Sequence, residues 1–420
     1  MSFIVRSLEM KNLLSAAPVF LLTVAGAFAI PQNFGGNIFG ATFQPKDINE
    51  DLTENLLDAE IWQGGKLPRV WKTIPSLDGN EVKLLTVNPI IFGERPSAVF
   101  ANTEKGRLQS IAALYLDAGI FFGYQPGRDK DNIKTLQRNF KKRYSHLEEV
   151  LGETLGDRTD DGPDDAVIGR TALLRNTYQD YQLGHLTLRF SAIENHSVSL
   201  IILRTKDITG DYLDDDVATL DKRKRRQQLL ANVTHNTGGD ITIGGIPMFR
   251  QGLRPYCAVS TLGMATHYLG LRMNTDALAA GARFRNTGSA KGSKILDLYR
   301  AAAQEADASV QRSGSFDFNR AKKYLEKGFP VVVWRRYSSE RNRLHSAAAN
   351  GTALPEANAA DRATWPTAKT DPGHASVVTG FNEKTGEVIF MESWGEHTRG
   401  KRMQIEELEA TSYAAFYFKL

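Results

Sequence analysis

The chain has 420 residues, 41% of them hydrophobic and 24% charged, with a formal net charge of +4. That length accommodates two or three domains, and the composition is that of an ordinary globular protein. The small net charge gives no strongly basic face, so nucleic-acid binding is not expected.

The first residues read as an export signal. "MSFIVRSLEMKNLLSAAPVFLLTVAGAFAIPQ" carries Arg6 and Lys11, then an apolar run, then Ala27-Phe28-Ala29. This is the order of basic, apolar and small-x-small regions of a cleavable secretory signal, with cleavage expected after Ala29. A signal over residues 1–29 places the mature protein outside the cytoplasm, bacterial periplasmic or secreted, with no stable membrane insertion.

Residues 30–215 are expected to form an α+β accessory domain. After a Gly-rich stretch, "DINEDLTENLLDAEIWQ" (47–63) reads as a short helix, and the segments up to about 124 read as strands. Over 129–155 the apolar residues Ile133, Leu136, Phe140, Tyr144, Leu147, Val150 and Leu151 line one helical face. "DRTDDGPDD" (157–165) reads as a solvated acidic turn. "AVIGRTALLRNTY", "HLTLRFSAI" and "SVSLIILRT" then predict three strands. Nothing in this half forms a chemical constellation.

A linker is expected over 216–242, with the basic run "KRKRR" at 222–226 as a solvated helix face or a processing site. Beyond it, residues 243–420 put helices first and an antiparallel sheet second, the segregated α+β order. Residues 337–373 make a long polar insertion, either a wall beside a substrate or a surface ornament.

Cys257 is the only cysteine, so it has no disulfide partner within the chain. It follows Pro255 and opens a helix-like run ended by Gly270. A thiol at a helix N-terminus sits at the positive end of the peptide dipoles, which favours the thiolate. Of eight histidines, His374 begins a strand after a Pro-Gly turn, whereas His267 is ten residues along the same helix as Cys257 and too distant to share a proton. An imidazole base needs a partner that fixes its tautomer. Glu392, at the end of the next strand, is placed for this, with Asn382 a remoter alternative. Gln251 can add a side-chain amide to the Cys257 backbone N–H as oxyanion donors.

"QGLRPYCAVS", "GHASVVTGF" and "MESWG", in this order, resemble the papain superfamily of cysteine peptidases. They are most similar to its bacterial branch that includes double-glycine leader (bacteriocin-processing) peptidases, over roughly residues 243–420. The resemblance implies a papain-like fold, its helical half carrying the cysteine and its sheet half the histidine. It implies Cys257 as nucleophile, His374 as general base and acid, Gln251 as oxyanion donor, and Glu392 at the orienting position, where Asn or Asp is usual. A peptide or protein substrate follows, with no metal and no organic cofactor. Acyl transfer of the transglutaminase type, using the same residues, and a non-catalytic papain-like binding module are the alternatives.

Overall fold

Two antiparallel sheets, several of whose strands are buried along nearly their whole length, frame the molecule. The computed structural model describes residues 46–64, 67, 70–74, 81–104, 106–117, 130–156, 163–208, 210–251, 256–273, 275–283 and 294–420. The expected signal segment, residues 1–29, and most of the acidic turn lie outside the described residues.

Eight strands form the first sheet in the order β2-β3-β5-β6-β10-β9-β8-β7. They are β2 (Trp71–Ile74), β3 (Glu81–Leu85), β5 (Ala98–Glu104), β6 (Arg107–Asp117), β7 (Asp164–Ile168), β8 (Asn176–Leu183), β9 (Leu186–Ile193) and β10 (Ser197–Arg204). A short parallel pair, β1 (Lys46–Asp51) with β4 (Val87–Ile90), lies beside it. The helix Lys130–Gly156 buries Leu136, Leu147, Leu151 and Leu155 in one core with Val198, Leu200 and Ile202 of β10. This is the face that the spacing of three and four predicts.

The second sheet runs β11-β12-β15-β14-β18-β13, with β16 paired to β15 and β17 to β16. Its strands are β11 (Val233–His235), β12 (Asp240–Ile243), β13 (Ser309–Ser313), β14 (Val331–Arg336), β15 (Gly373–Asn382), β16 (Glu387–Glu392), β17 (Lys401–Gln404) and β18 (Ser412–Lys419). Every pairing in it is antiparallel. The helices Cys257–Tyr268 and Ile295–Glu305 share its apolar core, as Val259, Leu262, Leu298 and Ala302 beside Val332, Val377 and Phe416.

Three local expectations are corrected. Residues 47–63 are not one helix: Lys46–Asp51 is a strand, and two short helices follow, Thr53–Leu57 and Ala59–Trp62. Asp58 breaks the run because its carboxylate accepts from the Glu60 N–H at 2.8 Å, starting a new helix. The segment 166–178 is not one strand, because a turn at 170–174 divides β7 from β8.

The segment 216–242 is not a linker. It holds the helix Lys222–Ala231 and the first two strands of the second sheet. In the basic run Arg225 is buried, and its Nη2 donates to the carbonyls of Leu269 at 3.0 Å and Ala306 at 2.8 Å. These residues end the helices Cys257–Tyr268 and Ile295–Glu305, so Arg225 satisfies carbonyls that helix geometry leaves open. Charge alone does not reveal which cation of a run turns inward. The other four residues of the run are solvated.

The insertion is anchored to the second half. Its helix Ser339–Ala349 buries Arg341, which donates from Nε to Glu407 at 3.0 Å and from Nη1 to Asp361 at 2.6 Å. His345 Nε2 meets the same Glu407 at 3.0 Å.

The two halves are also joined by packing. The second core takes Ile168, Leu174, Ile193 and Tyr212 from the first half. The fully buried Glu305 carboxylate accepts from the Arg170 N–H at 2.9 Å, and from the Thr171 N–H at 2.6 Å and hydroxyl at 2.7 Å. Glu305→Ala would leave two backbone donors without their acceptor. It is expected to lower stability by about 2–4 kcal/mol, measured by denaturant unfolding.

Candidate active site

The site forms where the Cys257–Tyr268 helix meets the end of the second sheet. Tyr256 holds the N-cap position, and Cys257 begins the first turn. That turn is pinned from behind. The Tyr299 hydroxyl donates to the Ala258 carbonyl at 2.8 Å and receives Trp334 Nε1 at 3.2 Å. The Thr261 hydroxyl donates to the Cys257 carbonyl at 2.7 Å.

His374, the second residue of β15, lies beside Cys257, close enough for the imidazole to act on the thiol. Its Nε2 meets Glu392 Oε2 at 2.5 Å, which leaves Nδ1 as the nitrogen that faces the sulfur. Glu392 ends β16 and is fully buried. The extra methylene that distinguishes Glu from Asp is accommodated by the sheet itself, since Glu392 lies in register with Ser376 rather than with His374. The Trp394 indole stacks on the His374 imidazole, with centroids 4.4 Å apart and planes 24° from parallel. It covers the histidine–carboxylate pair from water. Tyr337 packs edge-on against the same indole.

Gln251 joins this group through Ser393. Its N–H donates to the Ser393 carbonyl at 2.8 Å, and its Oε1 accepts from the Ser393 hydroxyl at 2.6 Å. The Ser393 hydroxyl thus fixes the amide oxygen of Gln251, and with it the orientation of the donor end of that amide. The structure thus brings together Cys257, His374, Glu392 and, through Ser393, Gln251. Asn382 is at the far end of β15 and donates to Asp240 at 2.7 Å and to the Gly238 carbonyl at 3.2 Å. It holds a turn and takes no part in the site.

Three contributors received no role from the motifs, although Ser376 lies within one of them. Arg335 on β14 donates from Nη2 to Glu392 Oε1 at 2.6 Å. Ser376 donates from its hydroxyl to Glu392 Oε2 at 3.0 Å. Lys401 places its ammonium 5.0 Å from the Trp394 ring centre and donates to Asn342 of the insertion at 2.6 Å. A signal for Arg335 was present: in "VVVWRRY" the period of two puts it on the same face as Val331 and Val333.

These contacts set the protonation states. Burial pushes the Cys257 thiol up, but the hydrogen bond and charge of His374, with the backbone N–H groups of Ala375 and Ala258, hold it below the ordinary thiol value. Burial alone would lower His374. Glu392 and Cys257 outweigh it and lift the imidazole to about 9. For Glu392, burial opposes ionisation, yet His374, Arg335 and Lys401 keep the carboxylate charged. The arrangement favours the thiolate–imidazolium pair over the neutral thiol and imidazole.

Residues 243–419 match the model of the Peptidase_C39 like family. That segment of the chain resembles the Peptidase_C39 like family. Among solved structures, the chain is similar to a Bacillus anthracis protein described as a C39-like peptidase, at 16% identity, over 42% of this chain and 96% of that one, with a TM-score of 0.28. It is also similar to the peptidase domain of Streptococcus ComA, a bifunctional ABC transporter, at 14% identity, over 39% and 91% of the two chains, with a TM-score of 0.25. Xylellain, a cysteine protease from Xylella fastidiosa, is similar at 15% identity, over 46% and 88%, with a TM-score of 0.26. No curated protein sequence matches the chain. The described part of the C39-like region contains Cys257, His374, Glu392 and Gln251. Among the described residues, no helix is long and apolar enough to cross a membrane.

The thiolate makes a direct prediction. Alkylation of Cys257 by iodoacetamide should remain fast at pH 6. In His374→Ala burial acts on the thiol without its partner, so the midpoint should move to or above the ordinary thiol value of about 8.5, slowing alkylation at pH 6 on the order of 100-fold. Equal rates in the two proteins would show that His374 does not activate the thiol.

Proposed function

We propose that the protein is an exported cysteine peptidase that hydrolyses peptide bonds through a thioester on Cys257. The observation that carries this reading is the series Cys257–His374–Glu392 at a helix start, in which Glu392 hydrogen bonds the imidazole that stands beside the thiol, with the Gln251 amide held next to Glu392 by Ser393. The match to the Peptidase_C39 like family supports it independently. Export rests on the signal pattern of residues 1–29.

In this reading the Cys257 thiolate attacks the scissile carbonyl carbon, and the carbon–oxygen double bond opens to an oxyanion. The Cys257 backbone N–H and the Gln251 NH2 group stabilise that charge. The His374 imidazolium gives its proton to the departing amine as the carbon–nitrogen bond breaks, leaving an acyl thioester and a neutral imidazole. A water molecule then loses a proton to His374 and attacks the thioester. Collapse of the second oxyanion releases the carboxylic acid and restores the thiolate. Glu392 remains ionised throughout and orients the ring.

Acyl transfer would differ only in the second nucleophile, an amine in place of water. The two are separated by adding an amine acceptor and analysing the products by mass spectrometry.

The experiment profiles cleavage of a peptide library by the wild type and by Cys257→Ala. Cleavage is expected in the wild type alone. Gln251→Ala should lower kcat by roughly 100- to 1000-fold, the loss typical of one oxyanion donor. The pH dependence has two limbs. Activity rises as Cys257 ionises, at a pH below the ordinary thiol value, and falls as His374 loses its proton near pH 9. Wild-type products that persist in Cys257→Ala would overturn the reading.

A further inference from the structure

Four side chains lie on one face where β14, β15 and β16 run side by side. Arg335 is the register partner of His374, and Ser376 is the register partner of Glu392. His374 and Ser376 are two residues apart on β15, so they point the same way. Arg335 and His374 would repel as cations directly opposite each other on neighbouring strands. Glu392 lies between them. One of its oxygens takes Arg335 Nη2 at 2.6 Å and the other takes His374 Nε2 at 2.5 Å. Ser376 closes the ring, receiving Arg335 Nε at 3.1 Å and donating to Glu392 at 3.0 Å. Arg335 is only 1% exposed and Glu392 0%, so solvent does not screen the pair.

We infer that Arg335 is a positioning residue for His374: it neutralises Glu392 and fixes the plane of its carboxylate, and so the ring that this carboxylate orients. The inference rests on the reading of Cys257 and His374 as nucleophile and base. Lys401 on β17, Tyr337 beyond β14 and Cys257 on its helix also act on this cluster. Lys401 donates to Asn342 and faces Trp394, whereas among the described residues Arg335 and Ser376 join His374 in hydrogen bonding the Glu392 side chain.

The neutralisation has a sign. Without Arg335, His374 faces an uncompensated carboxylate and binds its proton more tightly. Without the Glu392 charge, His374 faces an unopposed guanidinium and releases its proton more readily. Glu392→Gln, although close in shape, is therefore disruptive alone and milder when Arg335 is removed with it.

The test follows the His374 ring by NMR across pH in a Cys257→Ala background, which requires no substrate. Arg335→Met should raise the midpoint by about one pH unit or more. Glu392→Gln should lower it, and the double variant should lie between the two. In the Cys257 protein, the double variant should also recover part of the kcat/KM lost in Glu392→Gln. An unchanged or lowered midpoint in Arg335→Met, or a double variant equal to Glu392→Gln, would overturn the inference. Should Arg335→Met not fold, the comparison of Glu392→Gln with the double variant decides. Failure of the peptidase reading looks different: the midpoints keep their order while the wild type cleaves no peptide through Cys257.

Discussion

The ionised, fully buried carboxylate of Glu392 is the constraint around which the second half is arranged. A charge removed from water is tolerated only when cations and hydrogen-bond donors surround it, and removing one partner of such a pair typically costs about 3–5 kcal/mol. Here the partners come from separate strands: Arg335 from β14, and His374 and Ser376 from β15. A shift of one residue in either register would turn the partners to the opposite face of the sheet. The carboxylate thus ties strand register to the chemistry of the site. The insertion contributes from behind, since Asn342 holds Lys401, and Lys401 faces the indole that covers His374.

Charge alternates along a path through the site: guanidinium, carboxylate, imidazolium, thiolate. Each ion stands beside ions of opposite sign, so the series is close to neutral as a whole. This accounts for the opposite shifts of its members. Burial works against every charge, yet the thiol is held down and the imidazole is held up because each stabilises the other. The helix start adds backbone N–H groups on the thiolate side.

The sequence displayed the parts of the site that depend on local pattern. Cys257 stands at a break followed by helical periodicity, His374 follows a Pro-Gly turn into an apolar strand, and Glu392 adjoins Ser-Trp-Gly. The long helix was equally legible, because its apolar spacing continues over many turns. Arg335 was less visible, since its role depends on three strands meeting in register, which no single segment encodes. The same limit explains the basic run. Lys222, Arg223, Lys224 and Arg226 obey the rule that clustered charge is solvated, while Arg225 is turned inward by two helix ends from distant parts of the chain. The split of residues 47–63 has another cause: a single aspartate restarts a helix, and helical spacing is blind to such a restart.

Arg225 gives the second half an edge that differs from the one its family resemblance draws. The matched residues begin at 243, yet the guanidinium that closes the ends of the Cys257 helix and its neighbour lies 18 positions earlier. β11, which precedes the match, completes an edge of the second sheet, and Leu174 lies so close to Gly281 that a Cβ there would come within 2.6 Å of it. A fragment cut at 243 would carry all four site residues and still lack this buttressing, with open carbonyls at two helix ends and a bare apolar hollow where Leu174 had been. The smallest self-sufficient unit of this fold is therefore larger than its recognisable motif.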